Sequence, residues 1–331
     1  MSTLNRQSVV FASPRTIEIQ KDVLVSPGPG LVLVQAEMSA ISSGTELLIY
    51  RGQLAQDLEL QKELPDVQAM FGFPTKFGYS MVGRVIETGP GVSSTWKGKR
   101  VFAFHPHESH FLANPKDLLL LPDGIEPECG VFLPNLETAV NLLQDGRPMI
   151  GERVAIFGQG TVGLLTVALL RRFPLAELIT CDPIEARRQL SVEWGAQHSV
   201  DPDDASELRN CDLTYELSGQ PGTLTTAIQA TGFSGRVVIG SWYGTKRAEV
   251  ELGGSFQRKS IHILSSQASA SDPPQSGAWT KERRMLVAIS LLETIRPKGL
   301  ITHRFPASAA AEAFDLLDGE PAEALQVVLT Y

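Results

Sequence analysis

Arg153-Val-Ala-Ile-Phe-Gly-Gln-Gly-Thr-Val-Gly163 is an apolar run that breaks into three glycines. Residues 154–157 show no polar alternation, which is typical of a parallel strand buried on both faces. Gly158, Gly160 and Gly163 then match the pattern G-x-G-x-x-G. The first glycine allows a tight turn, the second lets backbone approach a pyrophosphate, and the third lets a helix pack closely on the strand. The pattern predicts a strand, a phosphate-binding turn and a helix, in that order.

The following residues continue this pattern. Residues 164–172 favour a helix, and residues 177–181 read as a second buried strand that ends at Asp182. Asp182 lies 182 − 163 = 19 residues after Gly163, where a carboxylate accepts hydrogen bonds from ribose hydroxyls and repels a 2′-phosphate. NAD is therefore the expected cofactor, with NADP as the second option, and an empty Rossmann-like fold is the alternative. The predicted contacts are Gly158, Gly160, Thr161, Val162, Gly163 and Asp182.

Length and composition limit the partners. With 331 residues, the chain is long enough for two domains. Hydrophobic residues make up 43% and charged residues 20%, which is typical of a globular protein. The net charge of −8 argues against binding of nucleic acid or of an anionic membrane. A small-molecule substrate is the expected partner.

Three isolated cysteines, Cys129, Cys181 and Cys211, show no C-x-x-C spacing. They support neither a disulfide framework nor a four-cysteine zinc lobe, and core positions in a reducing compartment explain them most simply. No N-terminal apolar region resembles a signal peptide, and no run reaches membrane-spanning length. We therefore expect a cytoplasmic protein without a membrane segment.

The order of patterns predicts an α/β chain in two domains. Short β-rich runs separated by turns suggest a small barrel; they are expected at 8–12, 16–20, 31–41, 77–89, 98–104 and 118–121. Strand and helix patterns alternate after residue 129, which predicts a doubly wound parallel sheet. The expected boundaries are 1–135 for the barrel, 136–265 for the Rossmann domain and 266–331 for a return to the barrel.

Two further segments are noted for their structure and not for a catalytic role. Residues 53–70 are compatible with a helix that Pro65 interrupts, and this helix could be a lid or a solvated surface helix. Residues 265–277 are rich in Ser and Pro where the chain would leave the Rossmann domain. We interpret them as an ordered hinge or loop.

The order of features resembles the medium-chain dehydrogenase/reductase family. Four motifs carry this resemblance: Ser42-Ser-Gly-Thr-Glu46, Phe77-Gly-Tyr-Ser-Met-Val-Gly-Arg84, Pro106-His-Glu108 and Ile301-Thr-His-Arg304. Within the family they are most similar to the zinc-independent branch that includes the bacteriochlorophyllide dehydrogenases. The resemblance implies a GroES-like β-barrel catalytic domain plus a Rossmann doubly wound parallel sheet, and a homodimer.

The zinc ligands of the family are not matched. The family's zinc-binding cysteine aligns with Ser43, its ligand histidine with Tyr79, and its third ligand falls near Pro134. Hydroxyls and a proline cannot supply the deprotonated ligands that hold zinc. We therefore expect no metal, and the alternative is a metal site at His105, His107 and His110, of which the first two would share a strand face.

The resemblance also implies catalytic residues. Without zinc, a hydrogen-bond donor must stabilise the charge that develops on the substrate oxygen. Thr45 matches the family hydroxyl that contacts this oxygen, and Tyr79 replaces a residue of the same site. The alternatives are a turn threonine and a core tyrosine. His107 is a candidate substrate contact, and Trp242, with other aromatic residues, could line a pocket for a bulky or ring-containing substrate.

Further cofactor contacts are expected from position. Ser218, Gly240 and Ser241 follow predicted strands, at the edge where open α/β sheets bind ligands, and Gly240 resembles the nicotinamide contact of the family. Arg187 matches a basic residue along the adenosine ribose, with a solvated helix arginine as the alternative. Ser43 is also expected to contact the cofactor.

Three functions are consistent with these residues. The first is an NAD-dependent, zinc-independent oxidoreductase that transfers a hydride between the nicotinamide and a secondary alcohol or ketone. The second is a zinc-free quinone or enoyl reductase using NADPH, against which Asp182 counts. The third is a non-enzymatic nucleotide-binding protein.

Overall fold

The structure, a computed structural model, describes residues 3–54, 72–268 and 278–331. Most of the helix expected at 53–70 and of the loop expected at 265–277 lies outside the described residues. The chain divides into two compact units. The first contains residues 1–134 and 292–331, and the second contains residues 135–291.

The regular elements of the described residues are as follows. The strands are β1 Thr3–Ser13, β2 Thr16–Val25, β3 Val32–Ile41, β4 Met81–Thr88, β5 Arg100–Ala103, β6 His110–Ala113, β7 Leu119–Leu120, β8 Arg153–Phe157, β9 Glu177–Cys181, β10 His198–Val200, β11 Cys211–Glu216, β12 Thr231–Ile239, β13 His262–Ser265, β14 Ile301–Pro306 and β15 Gln326–Thr330. The α-helices are α1 Thr45–Tyr50, α2 Pro127–Gly130, α3 Leu133–Gly146, α4 Thr161–Leu170, α5 Glu185–Trp194, α6 Thr223–Ala230, α7 Lys281–Ile295 and α8 Ala310–Gly319.

The first unit is mainly antiparallel β-structure. Its larger sheet has the order β14-β15-β3-β4-β5-β7, with β6 also paired to β3, and β1 and β2 form a separate hairpin. The tail of the chain joins this sheet because β15 pairs antiparallel with β3, with Val327 opposite Ile41. The central strand β3 ends at Ile41, so residues 42–46 follow directly from the middle of the sheet.

An aromatic cluster fixes helix α1 in the first unit. Phe314 of α8 meets Phe11 edge-on at 5.2 Å and stacks on Tyr50 at 5.4 Å. The Tyr50 hydroxyl also donates to the Asp315 carboxylate at 2.6 Å. Aromatic pairs of this kind contribute about 0.5–1.5 kcal/mol each beyond the area they bury. The end of α1 at Tyr50 is therefore held by packing against α8.

A buried carboxylate, Glu108, connects separate segments of the first unit. Its oxygens accept hydrogen bonds from Ser8 and Lys76 at 2.8 Å and lie 3.0 Å from the His105 ring and 3.3 Å from the Arg6 guanidinium. Burial by itself would raise the pKa of the Glu108 carboxyl. The hydrogen bonds from His105, Lys76 and Ser8 outweigh burial and hold the pKa at about 2.

Replacing Glu108 by Gln is expected to lower the free energy of unfolding at pH 7 by about 2–3 kcal/mol. The folded-state pKa of about 2 lies below the ordinary value of 4.5, so the contribution is present above pH 4.5 and disappears as pH falls towards 2. Urea unfolding followed by circular dichroism at pH 7, 5 and 3 measures the difference between the variant and the wild type. The difference should shrink by roughly half at pH 3, and a constant difference would contradict the assignment.

The second unit is built on a parallel sheet with the order β10-β9-β8-β11-β12-β13. Strand β9 lies on one side of β8 and β11 on the other, so the progression of the chain reverses at β8. In doubly wound sheets, ligands bind at the carboxyl ends of the strands where this reversal occurs. The glycine-rich turn after β8 lies at that position.

The return to the first unit occurs at Leu292, not at residue 266 as expected. Helix α7 explains the difference because its first half belongs to the second unit. There the buried Arg284 guanidinium bonds the Glu137 carboxylate of α3 at 2.7 Å and the Ala268 carbonyl at 2.7 Å. Breaking a buried ion pair is costly, so α7 stays with α3. The roles of the two units as catalytic and cofactor domains stay predictions.

Several expected strands are shorter than predicted, and two of the differences affect candidate site residues. The strand expected at 77–89 begins only at Met81, because Gly78 has a φ of +147° and turns the chain. Tyr79 therefore does not lie in a strand. The strand expected at 98–104 covers Arg100–Ala103, so His105 and His107 follow it and do not share a strand face.

All three thiols are buried. Burial raises the pKa of Cys129, raises that of Cys181 to about 12 and raises that of Cys211 to about 11. Protonated thiols are poor nucleophiles and metal ligands, so these cysteines are packing residues. Among the residues that the structure describes, no helix has the length and apolar character needed to cross a membrane.

Candidate active site

The glycine-rich turn of the second unit leaves room where a phosphate would lie. Gly158 has a φ of +92°, and a Cβ there would lie 2.6 Å from the Leu217 carbonyl. A Cβ on Gly163 would lie 2.0 Å from the Gly158 oxygen. A Cβ on Gly160 would meet nothing within 4 Å. The outer glycines are therefore required by close packing, whereas the turn is open at Gly160.

Helix α4 begins directly after this turn, with Thr161 and Val162 as its first two residues. No side chain caps the helix at Gly160. The start of an α-helix presents backbone N–H groups and the positive end of the helix dipole to an anion. This geometry suits the pyrophosphate of a dinucleotide.

Asp182 is held against the glycine turn. Only 3% of the residue is exposed, and its two carboxylate oxygens accept hydrogen bonds from the backbone N–H groups of Gln159 at 2.6 Å and Ile184 at 2.9 Å. A carboxylate can accept about four hydrogen bonds, so capacity remains for ribose hydroxyls. The two backbone contacts fix the orientation of the carboxylate.

The two arginines after Asp182 have different environments. Arg188 donates to the Asp182 carbonyl and to the Asp201 carboxylate, both at 2.7 Å. Burial lowers the pKa of Arg187, and the nearby charge of Asp182 opposes this shift. Arg187 thus faces the acid that is expected to bind the ribose, and Arg188 is held by Asp201.

A second buried carboxylate, Glu216, lies at the carboxyl end of β11 and was not predicted as a site residue. It accepts hydrogen bonds from the backbone N–H and hydroxyl of Ser218 and from the hydroxyl of Tyr243. The Ser241 hydroxyl accepts from the Gly219 N–H at 2.8 Å and donates to the Glu216 carbonyl at 3.3 Å. Ser218 and Ser241, two predicted cofactor contacts, thus hold the turns after β11 and β12.

Gly240 and the aromatic residues expected to line a substrate pocket have different surroundings in the second unit. Gly240 is closely packed, since a Cβ there would lie 2.6 Å from the side chains of Leu142 and Leu217. Trp242 is 45% exposed, whereas Trp279 lies against the Arg283 guanidinium, 3.9 Å from the ring centroid. The roles of Gly240 at the nicotinamide and of Trp242 at the substrate stay predictions.

In the first unit, the two predicted catalytic hydroxyls lie together. Residues 42–45 turn from β3 into α1, and the Thr45 N–H donates to the Ser42 hydroxyl at 3.2 Å. The Ser42 and Thr45 side chains lie close enough to the Tyr79 hydroxyl to lower its pKa as hydrogen-bond partners. Ser43, a predicted cofactor contact, is exposed on the same turn.

Tyr79 is suited to donate a hydrogen bond. Burial is the main cause that raises its pKa to about 12; hydrogen bonds from Ser42 and Thr45 oppose the shift, and the negative charge of Glu46 adds to it. The phenol is therefore protonated at neutral pH. It can stabilise a developing alkoxide, but it is a poor general base.

His107 lies behind this turn in a buried network. Its Nε2 is 2.8 Å from the Glu46 carboxylate, and its Nδ1 is 2.7 Å from the Ser39 hydroxyl. Ser39 in turn lies 2.9 Å from the Tyr331 hydroxyl. A substrate could reach neither ring nitrogen without displacing Glu46 or Ser39, which disfavours His107 as a direct substrate contact. The sequence contained Glu46 within a motif but gave no sign of its partner.

Ser39, His107 and Glu46 are connected by hydrogen bonds in the same way as the serine, histidine and acid of a hydrolase catalytic triad. Ser39, His107 and Glu46 are each fully buried, and the Ser39 hydroxyl already contacts both His107 and Tyr331. A nucleophile must reach a substrate carbonyl. The network therefore does not support acyl transfer.

The donor atoms do not fit zinc. Ser43, Tyr79 and Pro134, the residues expected at the ligand positions of the family, offer no thiolate, imidazole or carboxylate. The three clustered histidines have separate partners: His105 contacts Glu108 and stacks on Phe111, His107 contacts Glu46 and Ser39, and His110 contacts Ser109. Across residues 3–54, 72–268 and 278–331, no three His, Cys, Asp or Glu side chains converge as metal ligands would.

Known proteins resemble the chain along its whole length. No protein-family model matches it. The chain is 26% identical to 2-desacetyl-2-hydroxyethyl bacteriochlorophyllide A dehydrogenase of Rhodobacter capsulatus, over 99% of both chains. Two solved structures share its fold: a short chain alcohol dehydrogenase from E. coli CFT073 complexed with NADH (TM-score 0.79, 20% identity, 99% of both chains), and 2R,3R-butanediol dehydrogenase from Bacillus subtilis (TM-score 0.79, 20% identity, 98% of this chain and 99% of the other).

These similarities confirm the predicted combination of a mainly antiparallel β unit with a Rossmann-type parallel sheet. They cover both compact units rather than the second unit alone. Along its whole length the chain is therefore similar to zinc-type alcohol dehydrogenase-like proteins of the medium-chain dehydrogenase/reductase family, and a solved structure that shares its fold is complexed with NADH.

Proposed function

We propose that the protein is an NAD-preferring oxidoreductase that transfers a hydride between the nicotinamide and a secondary alcohol or ketone, without catalytic zinc. The observation that carries this proposal is the meeting of the Thr45 and Tyr79 hydroxyls on the turn after β3. Both residues were expected to act on the substrate oxygen, and the raised pKa of Tyr79 keeps it a donor. The second unit supplies the glycine turn and Asp182.

The bound cofactor supplies or accepts the hydride. In reduction of a ketone, negative charge develops on the carbonyl oxygen as its carbon receives the hydride. Tyr79 and Thr45 stabilise this charge by donating hydrogen bonds, and Tyr79 can pass its proton to the alkoxide and regain one from water. The protein thereby performs with hydroxyl groups the polarisation that a metal ion performs elsewhere.

The two other functions remain alternatives within this proposal. A quinone or enoyl reductase would reduce a C=C bond with NADPH, and Asp182 counts against that cofactor. A non-enzymatic nucleotide-binding protein would bind NADH without turnover. Bulky or ring-containing substrates, the homodimer and the cytoplasmic location stay predictions from the sequence.

Cyclohex-2-enone separates these functions because it contains both a C=O bond and a C=C bond that could be reduced. We expect NADH oxidation, followed at 340 nm, to yield cyclohex-2-enol, which gas chromatography distinguishes from cyclohexanone. Cyclohexanone as the main product would favour the enoyl reductase. Tight NADH binding with no turnover of cyclohexenone, 2,3-butanedione or other ketones would favour the non-enzymatic protein.

The purified protein is expected to bind no stoichiometric zinc, because Ser43, Tyr79 and Pro134 offer no suitable ligand. Elemental analysis after dialysis against buffer with equimolar zinc measures the metal content. The matched variant Ser43→Cys restores one thiolate and tests whether the position can contact a metal. About one zinc per wild-type chain, together with activity that a chelator removes, would contradict the prediction.

A further inference from the structure

Glu46 is a buried carboxylate whose position depends on few partners. Its Oε1 accepts the Ser42 N–H at 3.0 Å, and its Oε2 lies 2.8 Å from Nε2 of His107. Taking a carboxylate out of water costs several kcal/mol unless hydrogen bonds compensate. His107 is the side chain that provides this compensation, so removing the ring would leave the acid poorly satisfied.

The His107 ring itself cannot move easily. Ser39 holds its Nδ1 at 2.7 Å, and on another side the ring meets the backbone at Gly78. A Cβ on Gly78 would lie 3.0 Å from both Cδ2 and Nε2 of the ring. A side chain at residue 78 would therefore crowd the ring, and the φ of +147° at Gly78 is strained for any other residue.

One arrangement of protons satisfies every group in the network with a neutral ring. A carboxylate can only accept, so Nε2 of His107 carries the hydrogen and donates it to Glu46. Nδ1 then accepts from the Ser39 hydroxyl, which accepts from Tyr331. Each donor is used once.

The same carboxylate organises the turn that carries the catalytic hydroxyls. The Ser42 N–H donates to Glu46, the Glu46 N–H donates to the Ser42 carbonyl at 3.0 Å, and the Thr45 N–H donates to the Ser42 hydroxyl. Residues 42 and 46 are thus joined by one hydrogen bond in each direction. The hydroxyls of Ser42 and Thr45, which lie on this turn, are the hydrogen-bond partners of Tyr79.

We propose that His107 is a positioning residue: by satisfying Glu46, it fixes the turn of residues 42–46 and thereby sets the separation of the Thr45 and Tyr79 hydroxyls. The catalytic part of this inference rests on the proposed function. The structural part, that His107 controls the turn through Glu46, does not. A misplacement of catalytic groups by about 1 Å can cost on the order of 100-fold in rate.

Three variants separate positioning from general stability. His107→Leu keeps apolar bulk and removes both hydrogen bonds. His107→Gln restores an N–H that can reach the Glu46 carboxylate. Glu108→Gln is the matched control, because it removes a buried hydrogen-bonded group from the neighbouring residue, which contacts Ser8, Lys76 and His105 but not the turn.

Amide hydrogen exchange tests the structural part without any substrate. In His107→Leu, we expect exchange at Ser42, Thr45 and Glu46 to accelerate at least about tenfold relative to amides of β4. The acceleration should be largely reversed in His107→Gln and absent in Glu108→Gln. Unchanged exchange at the turn in His107→Leu, or equal acceleration in Glu108→Gln, would overturn the proposal.

Kinetics test the catalytic part. With NADH and 2,3-butanedione, we expect His107→Leu to lower kcat about 30-fold or more, and His107→Gln to recover most of it. The Kd for NADH, measured by fluorescence, should change less than about threefold, since the cofactor motif lies in the second unit. Equal losses in kcat and NADH affinity would overturn this part. If the wild type reduced no ketone, the proposed function would fail, while the exchange data would still decide whether His107 fixes the turn.

Discussion

Tyr79→Phe is expected to lower kcat for ketone reduction by on the order of 100-fold, and Thr45→Val by a similar or smaller factor. Each change removes a hydroxyl that is needed mainly when charge develops on the substrate oxygen, so the rate should fall far more than cofactor affinity. Phe preserves the ring of Tyr79, which packs edge-on against Phe77 at 6.2 Å. Steady-state kinetics with NADH and 2,3-butanedione provide the measurement.

The double variant shows whether the two hydroxyls act together. Because Thr45 hydrogen-bonds to Tyr79, we expect the combined loss to be smaller than the product of the single losses. Tyr50→Phe is the control: it removes another tyrosine hydroxyl of the first unit, bonded to Asp315 and away from the turn. That variant should lose stability and keep kcat. Nearly full turnover in both Tyr79→Phe and Thr45→Val would place the proton donor elsewhere, with bound water as the next candidate.

NAD is expected to bind more tightly than NADP by roughly tenfold to a thousandfold. The 2′-phosphate of NADP would bring nearly two negative charges beside Asp182. Like charges about 4 Å apart repel by roughly 1 kcal/mol in water and about 4 kcal/mol near a protein surface, and about 1.4 kcal/mol corresponds to one decade in affinity. The backbone N–H groups of Gln159 and Ile184 prevent the carboxylate from turning away.

The arginines decide how large this preference is. Arg188 is held by Asp201, so Arg187 is the residue that could reach a 2′-phosphate and reduce the repulsion. Fluorescence titration of NADH and NADPH should show a much smaller difference in Asp182→Ser than in the wild type. Asp204→Asn removes one exposed negative charge of the same unit and should leave the ratio nearly unchanged. Equal or tighter NADPH binding by the wild type would show that Arg187 prevails and would favour the quinone or enoyl reductase.

Local patterns predicted the second unit well. The strand β9 occurs at the residues expected, Glu177–Cys181, and the helix expected at 164–172 occurs as α4, Thr161–Leu170. Both have local causes: a continuous apolar run specifies a buried parallel strand, and the glycine turn leads directly into the helix. The two short edge strands, β10 and β13, were not predicted, because a few apolar residues at a sheet edge give little periodic signal.

The polar contacts of the site were harder to predict. Glu46 and His107 are 61 residues apart and Ser39 and Tyr331 are 292 apart, so no local pattern links them. Glu216 is a lone acid at the end of an apolar strand, and its partner Tyr243 follows a different strand. The strand expected through Tyr79 begins only at Met81, and the His107 ring that lies close to Gly78 comes from a segment 29 residues further along the chain.

Residue order is sufficient to predict the elements whose causes are local: the parallel strands, the glycine turn, the acid after β9 and the lack of zinc-ligand residue types at three positions. Which polar side chains meet depends on the fold, since a buried carboxylate must find donors wherever the fold brings them. The fold brings His107 to Glu46 and Arg188 to Asp201. The Arg284–Glu137 pair keeps most of α7 in the second unit, so that the chain returns to the first unit at Leu292. These contacts depend on strand pairing and helix packing between distant segments, which residue order alone does not specify.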